Sequence, residues 1–444
     1  MERLHQLCVA YRKIQSALPW LDCYISEMTP AYENASRDLP TEFVRLDYTN
    51  TKPRLIKQTD HSFEEIANIV SASPKIPFIL VSGDRKLLYH ILKIAELLST
   101  HPNLYLATGN FCNHFGLERL VAMHLGHKLL FGTMAPFLDA GNAFGPIVLG
   151  LFDWKTKCDI AGNNFRRLLG KAPIYPAEVK MPSIAPFMID SHAHTIYPDS
   201  ACVFPTPHAE PTWECWKRNL DLQHIDIMMT TPSESNRDVV TYPSQMVSAQ
   251  MCTDSHGRMY YYEAFNPSKC NQSLAILERS LPDPRCIGIK IHPAANQVYA
   301  SDERFAKVFE LADRFHKVVM SHTWGVSDYN PTQKFSCPSL FECHLKAFPN
   351  VNFTLGHAGG RANGFAEAVE ICKKFPHVDV DLAGDLYHNG FLKNAIEQIG
   401  VDKMLFASDA YWIDPRCMLG MLLETKLSEP DLWKILRTNA MKRL

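Results

Sequence analysis

Phe187-Met188-Ile189-Asp190-Ser191-His192-Ala193-His194 is a short apolar run that ends in two histidines separated by one small residue. Alternate side chains of a strand share a face, so His192 and His194 project the same way and can hold one metal ion. The chain has 19 histidines, and any one of them taken singly is more often a surface or satisfied core residue. The pair gains weight from the runs downstream of it. Four later apolar runs also end in groups that bind or serve metals: Gly288-Ile289-Lys290-Ile291-His292-Pro293, the run to His322, the run to His357, and the run to Asp409.

Helical patterns separate these runs. A strand-helix alternation with functional groups only at the carboxyl ends of strands is the signature of a (β/α)8 barrel, whose active site forms at that face. Eight strands can be set out. The first ends at His194, the second is 225–229, the third 259–265, and the fourth ends at Lys290; the fifth ends at His322, the sixth at His357, the seventh is 378–382, and the eighth ends at Asp409. One intervening helix places Phe305, Val308, Phe309, Leu311, Ala312 and Phe315 on one face, with Asp302 as its candidate cap. The last helix, from Leu432, ends barrel and chain together.

In this order, D-S-H-A-H, G-I-K-I-H-P, S-H-T, G-H-A-G-G and L-F-A-S-D-A, followed by Asn439, resemble the amidohydrolase superfamily, in its amidohydrolase-related branch of TIM-barrel metal-dependent hydrolases. The resemblance covers about 187–444. It implies that Asp409 contacts the metal and acts as general base and then general acid, and that His192, His194 and His322 are ligands. His357 is implied either as a further ligand or as a residue that polarises substrate or orients water. A lysine at the end of the fourth strand is carboxylated and bridges two metals in binuclear members of the superfamily. The expectation for this chain is one metal, with Lys290 an unmodified cation near the substrate. Imidazole and carboxylate donors suit zinc and are acceptable to manganese.

Trp324 and Arg361 follow metal-binding strand ends and are candidate substrate contacts, Arg361 for a carboxylate. Tyr197, Tyr411 and Trp412 follow others, with capping of the barrel core as their alternative. Glu263 reads as an outward-facing or paired carboxylate, Gly359-Gly360 as a turn that admits close backbone approach, and Asn439 as a residue bonding backbone groups of the last turn.

The chain has 444 residues, more than one barrel of roughly 250 needs. Part of the excess is a copy. Lys128-Leu129-Leu130-Phe131-Gly132-Thr133-Met134-Ala135 lies over Lys403-Met404-Leu405-Phe406-Ala407-Ser408-Asp409-Ala410 at an offset of 275 (403 − 128). The same offset pairs Gly145 with Gly420, Asn164 with Asn439, and Phe78 with Phe353, with one residue of slippage at Pro102. Residues from about 74 to 170 therefore resemble the last third of a second barrel. Its chemistry is gone: Ser82 stands opposite His357, and Met134 opposite Asp409. The expected organisation is a degenerate α/β unit over 1–175, a Pro-rich linker over 176–186, and a catalytic barrel over 187–444.

Net charge is −2, with 46% hydrophobic and 21% charged residues. Nothing there predicts nucleic acid or an anionic membrane as partner. Thirteen cysteines without metal-site spacing, and a start without a signal-peptide core, predict a cytoplasmic protein with reduced thiols. Its partner is a small-molecule substrate, and a homo-oligomer is expected from the branch it resembles. The leading functional expectation is hydrolysis of an amide, lactone or related bond by metal-activated water. The alternatives are non-hydrolytic decarboxylation or hydration of an unsaturated or aromatic carboxylic acid on the same metal, and a non-catalytic binding protein.

Overall fold

A computed structural model describes residues 1–23, 44–47, 62–81, 90–195, 212–232, 242–327, 330–361, 363–410 and 412–444. The first strands form a four-stranded parallel sheet: β1 (Val44–Asp47), β2 (Phe78–Val81), β3 (Leu104–Ala107) and β4 (Leu129–Leu130), in that order. The second sheet has eight parallel strands in sequential order: β5 (Met188–Thr195), β6 (Ile225–Pro232), β7 (Met259–Phe265), β8 (Cys286–Ile291), β9 (Val318–His322), β10 (Phe353–Gly356), β11 (Val378–Asp381) and β12 (Met404–Leu405). Backbone bonds from Ser191 N–H to Phe406 O at 3.0 Å and from Asp409 N–H to His192 O at 2.9 Å join the last strand to the first and close the barrel. The chain is therefore a (β/α)8 barrel preceded by a partial, degenerate copy of the same barrel.

All eight barrel strands fall on the apolar runs. The last is the shortest, because beyond Leu405 the backbone bonds leave the ladder: Phe406 N–H goes to Ile435 O at 2.9 Å, and Ser408 N–H to the Asp190 carboxylate at 3.0 Å. Inside the barrel, Ile189, Met229, Tyr262, Ile287, Met320 and Leu405 form one apolar cluster. A register shift against β6 lies between Asp190 and Ala193. An extra residue there reverses the alternation of faces. Ile189 and His192, three apart, consequently both turn inward, apolar below and imidazole above.

The copy reaches further back than the sequence offset shows. Cys23 N–H donates to Phe131 O at 2.8 Å, as Ser191 N–H does to Phe406 O. Asp22 accepts from the Thr133 hydroxyl and N–H, as Asp190 does from those of Ser408. The segment at Asp22 is thus the counterpart of β5, at a different offset of 168 (190 − 22). Strand β2 answers to β10, β3 to β11 and β4 to β12. Met134 keeps the left-handed backbone of Asp409, φ 57° against 64°. Asn164 ties down Gly126 O and Leu129 O in the way that Asn439 ties Val401 O and Met404 O. Those acceptors of Asn439 precede and begin β12, whereas the last turn was expected to supply them. Residues 171–187 form no helix or strand, in keeping with four prolines there.

One buried ion cluster pins the two units together. Arg416 pairs with Asp414 at 2.5 Å and with Glu118, and the Phe115 N–H donates to Asp414 at 3.1 Å. Burial opposes the Asp414 charge, but Arg416 and His114 hold its carboxyl below the ordinary value of 3.8. A carboxyl lowered in the folded state stabilises it above the unfolded pKa, and the contribution fades as pH falls through the folded value. Asp414→Asn should therefore cost about 3 kcal/mol at pH 7, the order found when one partner of a buried pair is removed. Urea unfolding of both proteins should show the gap narrowing from below about pH 4; a gap that is constant down to pH 3 would contradict this.

Candidate metal centre

The carboxyl ends of β5, β10 and β11 and the loop after β12 bring the donors together. His192 Nδ1–H donates to Asp381 Oδ2 at 2.9 Å, which fixes the tautomer and leaves Nε2 as the lone-pair atom. That Nε2 accepts from Lys290 Nζ at 2.6 Å. His194 is pinned at Nδ1 by Thr231 Oγ1 at 3.0 Å, and its Nε2 lies 3.1 Å from Asp409 Oδ1. His357 Nδ1–H donates to Ala383 O at 3.1 Å, so its Nε2 also carries the lone pair. Among the described residues, two groups have donor atoms within 4.8 Å of one another: His192, His194 and Asp409, and His192, His357 and Asp381. His357 and Asp409 both adopt left-handed backbone, φ 61° and 64°, a conformation that non-glycine residues rarely take and that recurs at functional sites.

Burial decides the charges. It pushes His192 down to about 3, with Lys290 adding to the effect, so the ring is neutral and able to ligate. Burial also lowers Lys290, to about 8. It works against the Asp381 carboxylate, yet the His192 and His357 imidazoles and Lys290 hold that group down to about 2. Against the same opposition, the hydrogen bond from His194 and the neighbouring His357 and His192 keep Asp409 well below the usual carboxylate range. The centre thus presents a neutral His192 ring, two ionised carboxylates and one buried amine.

The other residues singled out from the sequence are distributed around this centre. His322 points its Nε2 at Gln333 Oε1, 3.0 Å away. Its ring stacks on His292 at 4.0 Å and stands 4.7 Å from the His357 ring; it is in neither donor group. Trp324 lies edge-on to His357 at 5.7 Å. Arg361 donates to the Asp385 carboxylate at 2.7 Å and to its carbonyl at 2.9 Å, so its charge is already matched by a residue of the loop after β11. Trp412 is half-buried, and Tyr197 and Tyr411 lie outside the described residues. Glu263 is buried and accepts from Ser280 Oγ at 2.7 Å, the paired carboxylate that was expected. Gly359 and Gly360 turn with φ 75° and 76°, the latter close against the Trp324 ring.

Sequence reasoning missed Asp381, Thr231 and Gln333, the partners of three histidines. The signal for Asp381 was its strand, Val378-Asp379-Val380-Asp381, which puts two carboxylates on one face.

The model of the amidohydrolase family matches residues 189–444. The chain belongs to this family. No curated protein matches it. Among solved structures, it is similar to 2,6-dihydroxybenzoate decarboxylase from Rhizobium, at 15% identity over 58% of this chain and 98% of that one, with a TM-score of 0.46. It is also similar to 5-carboxyvanillate decarboxylase from Sphingomonas paucimobilis, at 13% identity over 58% and 98%, TM-score 0.44. A TIM-barrel protein from Bordetella bronchiseptica gives 16% over 58% and 97%, TM-score 0.47. Likeness at this level does not extend to substrate.

The donor set fits the metal that an amidohydrolase implies. The donor atoms of His192, His194 and Asp409, all within 4.8 Å of one another, are a ligand set for one divalent ion, which would take the His192 Nε2 lone pair in place of Lys290, and Asp381 is the kind of outer partner that orients a ligating histidine. Asp381→Asn should weaken affinity for zinc or manganese by about ten- to a hundredfold. Isothermal titration of the chelator-treated protein measures it, and unchanged affinity would show that Asp381 does not orient a ligand.

Proposed function

We propose that the barrel is a metal-dependent enzyme acting on a small carboxylic acid, with loss of the carboxyl group as CO2, or hydration of an unsaturated acid, ahead of hydrolysis. The observation that carries this reading is Lys290. It is 1% exposed, and its amine contacts His192 Nε2 and the Met320 sulfur, neither of them an anion. A buried amine without an anionic hydrogen-bond partner beside a cation site favours a substrate that brings its own negative charge.

A divalent metal held by His192, His194 and Asp409, zinc or manganese by its donors, would supply Lewis-acid polarisation of an oxygen and easier ionisation of water. The protein's own groups do the rest. Lys290 holds the carboxylate. Breaking the bond to CO2 leaves an electron pair on carbon that takes up one proton. Asp409, ionised at rest, acquires that proton from substrate or solvent and returns it to carbon. His357, with Nδ1 committed to Ala383 O, orients substrate through Nε2.

Hydrolysis of an amide or lactone is the second reading. It is supported by Asp409 itself, a carboxylate kept ionised beside His194 and able to take a proton from attacking water. A non-catalytic binder is disfavoured by a complete donor set in the barrel beside its absence in the copy.

Metal-loaded protein should release CO2 from members of a panel of aromatic and unsaturated carboxylic acids, or hydrate them, while leaving lactones and amides of matched size intact. Lys290→Met should raise KM for the acid by about tenfold or more, the order of one lost charge-assisted contact. Asp409→Asn should lower kcat by about a hundred- to ten-thousandfold. Turnover confined to the lactones or amides would replace the leading reading with the second.

A further inference from the structure

The two units meet like face to like face. Position by position, the first unit corresponds to the barrel at the offset of 275 (403 − 128), and the contacts between them come in reciprocal pairs. Asp139 N–H donates to Tyr387 O at 2.7 Å, and Asp414 N–H donates to Cys112 O at 2.9 Å; 139 and 112 are the counterparts of 414 and 387. An antiparallel bridge joins Asn113 to Ile413, and its mate joins Leu138 to His388. There, 113 and 138 are the counterparts of 388 and 413.

The helices obey the same rule. Helix Gly141–Val148 packs on helix Pro415–Glu424, its counterpart. A Cβ on Gly145 would strike the carbonyl oxygen of Arg416, and one on Gly420 would strike that of Gly141. Position 145 answers to 420, and 141 to 416. When residue i of one body meets j of the other, and j of the first meets i of the second, the interface is isologous, the kind that joins identical subunits about a two-fold axis. Here both bodies lie in one chain.

We propose that the N-terminal unit is a built-in second protomer: it occupies in cis the surface on which two copies of the catalytic barrel would pair, so that each such pair carries one metal centre. The arrangement explains why the copy keeps its scaffold without its chemistry. It retains the strand order, the asparagine ties and the glycine helix that the interface uses, and Met134 replaces the aspartate that the interface does not touch. It also braces the centre. The loop after β11 rests on the copy through Asn389 N–H to Phe137 O at 2.9 Å and carries Asp385, the partner of Arg361. The loop after Asp409 rests on it through Ile413 and Asp414.

The test cuts the folded full-length chain at a protease site introduced into the exposed segment 171–175 and weighs the product by light scattering. The two pieces should travel without denaturant as a one-to-one complex near the 50.4 kDa of the chain. Pieces that separate on cleavage would overturn the proposal. So would an uncut two-chain particle that Gly420→Leu converts to single chains, because the surface would then join separate molecules. A two-chain particle that survives Gly420→Leu uses another face and supports the proposal. Should that variant not fold, cross-linking a mixture of nitrogen-14 and nitrogen-15 chains decides: links between the two units within one label support it, and links of mixed label overturn it.

Discussion

Asp381 is the carboxylate on which the centre depends. It is fully buried and accepts from His192 Nδ1–H, from the His357 N–H at 2.8 Å and from the Ala383 N–H at 3.1 Å. A buried charge of this kind is costly unless each lone pair is used. Here the three donors belong to β5, the turn after β10 and the loop after β11, so satisfying one carboxylate fixes three strand ends against one another. The same bonds choose the tautomer of His192 and help to hold His357 in its left-handed backbone. The donor atoms converge because the barrel must solvate this group with its own hydrogen bonds.

The fold was largely legible because each barrel strand is buried on both faces and reads as an apolar run ending in a chemical group. The eight strands, their order and the centre at their carboxyl ends follow from that. Asp381 was not legible: an Asp-Val-Asp alternation looks like a half-exposed strand, and only barrel closure turns both aspartates inward. The environment of His322 was equally hidden, since spacing cannot reveal that Gln333, eleven residues on, lies at its Nε2. The counterpart of β5 in the copy escaped because its offset is 168 and not 275, and because Leu21-Asp22-Cys23 keeps the structural aspartate but not the histidines.

What the copy has kept distinguishes scaffold from chemistry within a single chain. The Asp22–Thr133 contact repeats Asp190–Ser408, the widened π-turn of 159–163 repeats that of 434–438, and the left-handed residue 134 repeats 409. These are backbone requirements of closing strand eight onto strand one, and they persist where no ligand does. Conversely, the histidines and Asp409 are dispensable for that closure. Their presence together in the barrel is accounted for by what they bind. Among the described residues, no helix is long and apolar enough to cross a membrane.

The central claim is that His192, His194 and Asp409 hold one divalent ion. Elemental analysis of protein purified without exposure to chelator tests it most directly. About one equivalent of zinc or manganese per chain is predicted, falling to a small fraction in His192→Ala protein that is folded by circular dichroism. Metal-free protein that also takes up neither ion on addition would contradict the account.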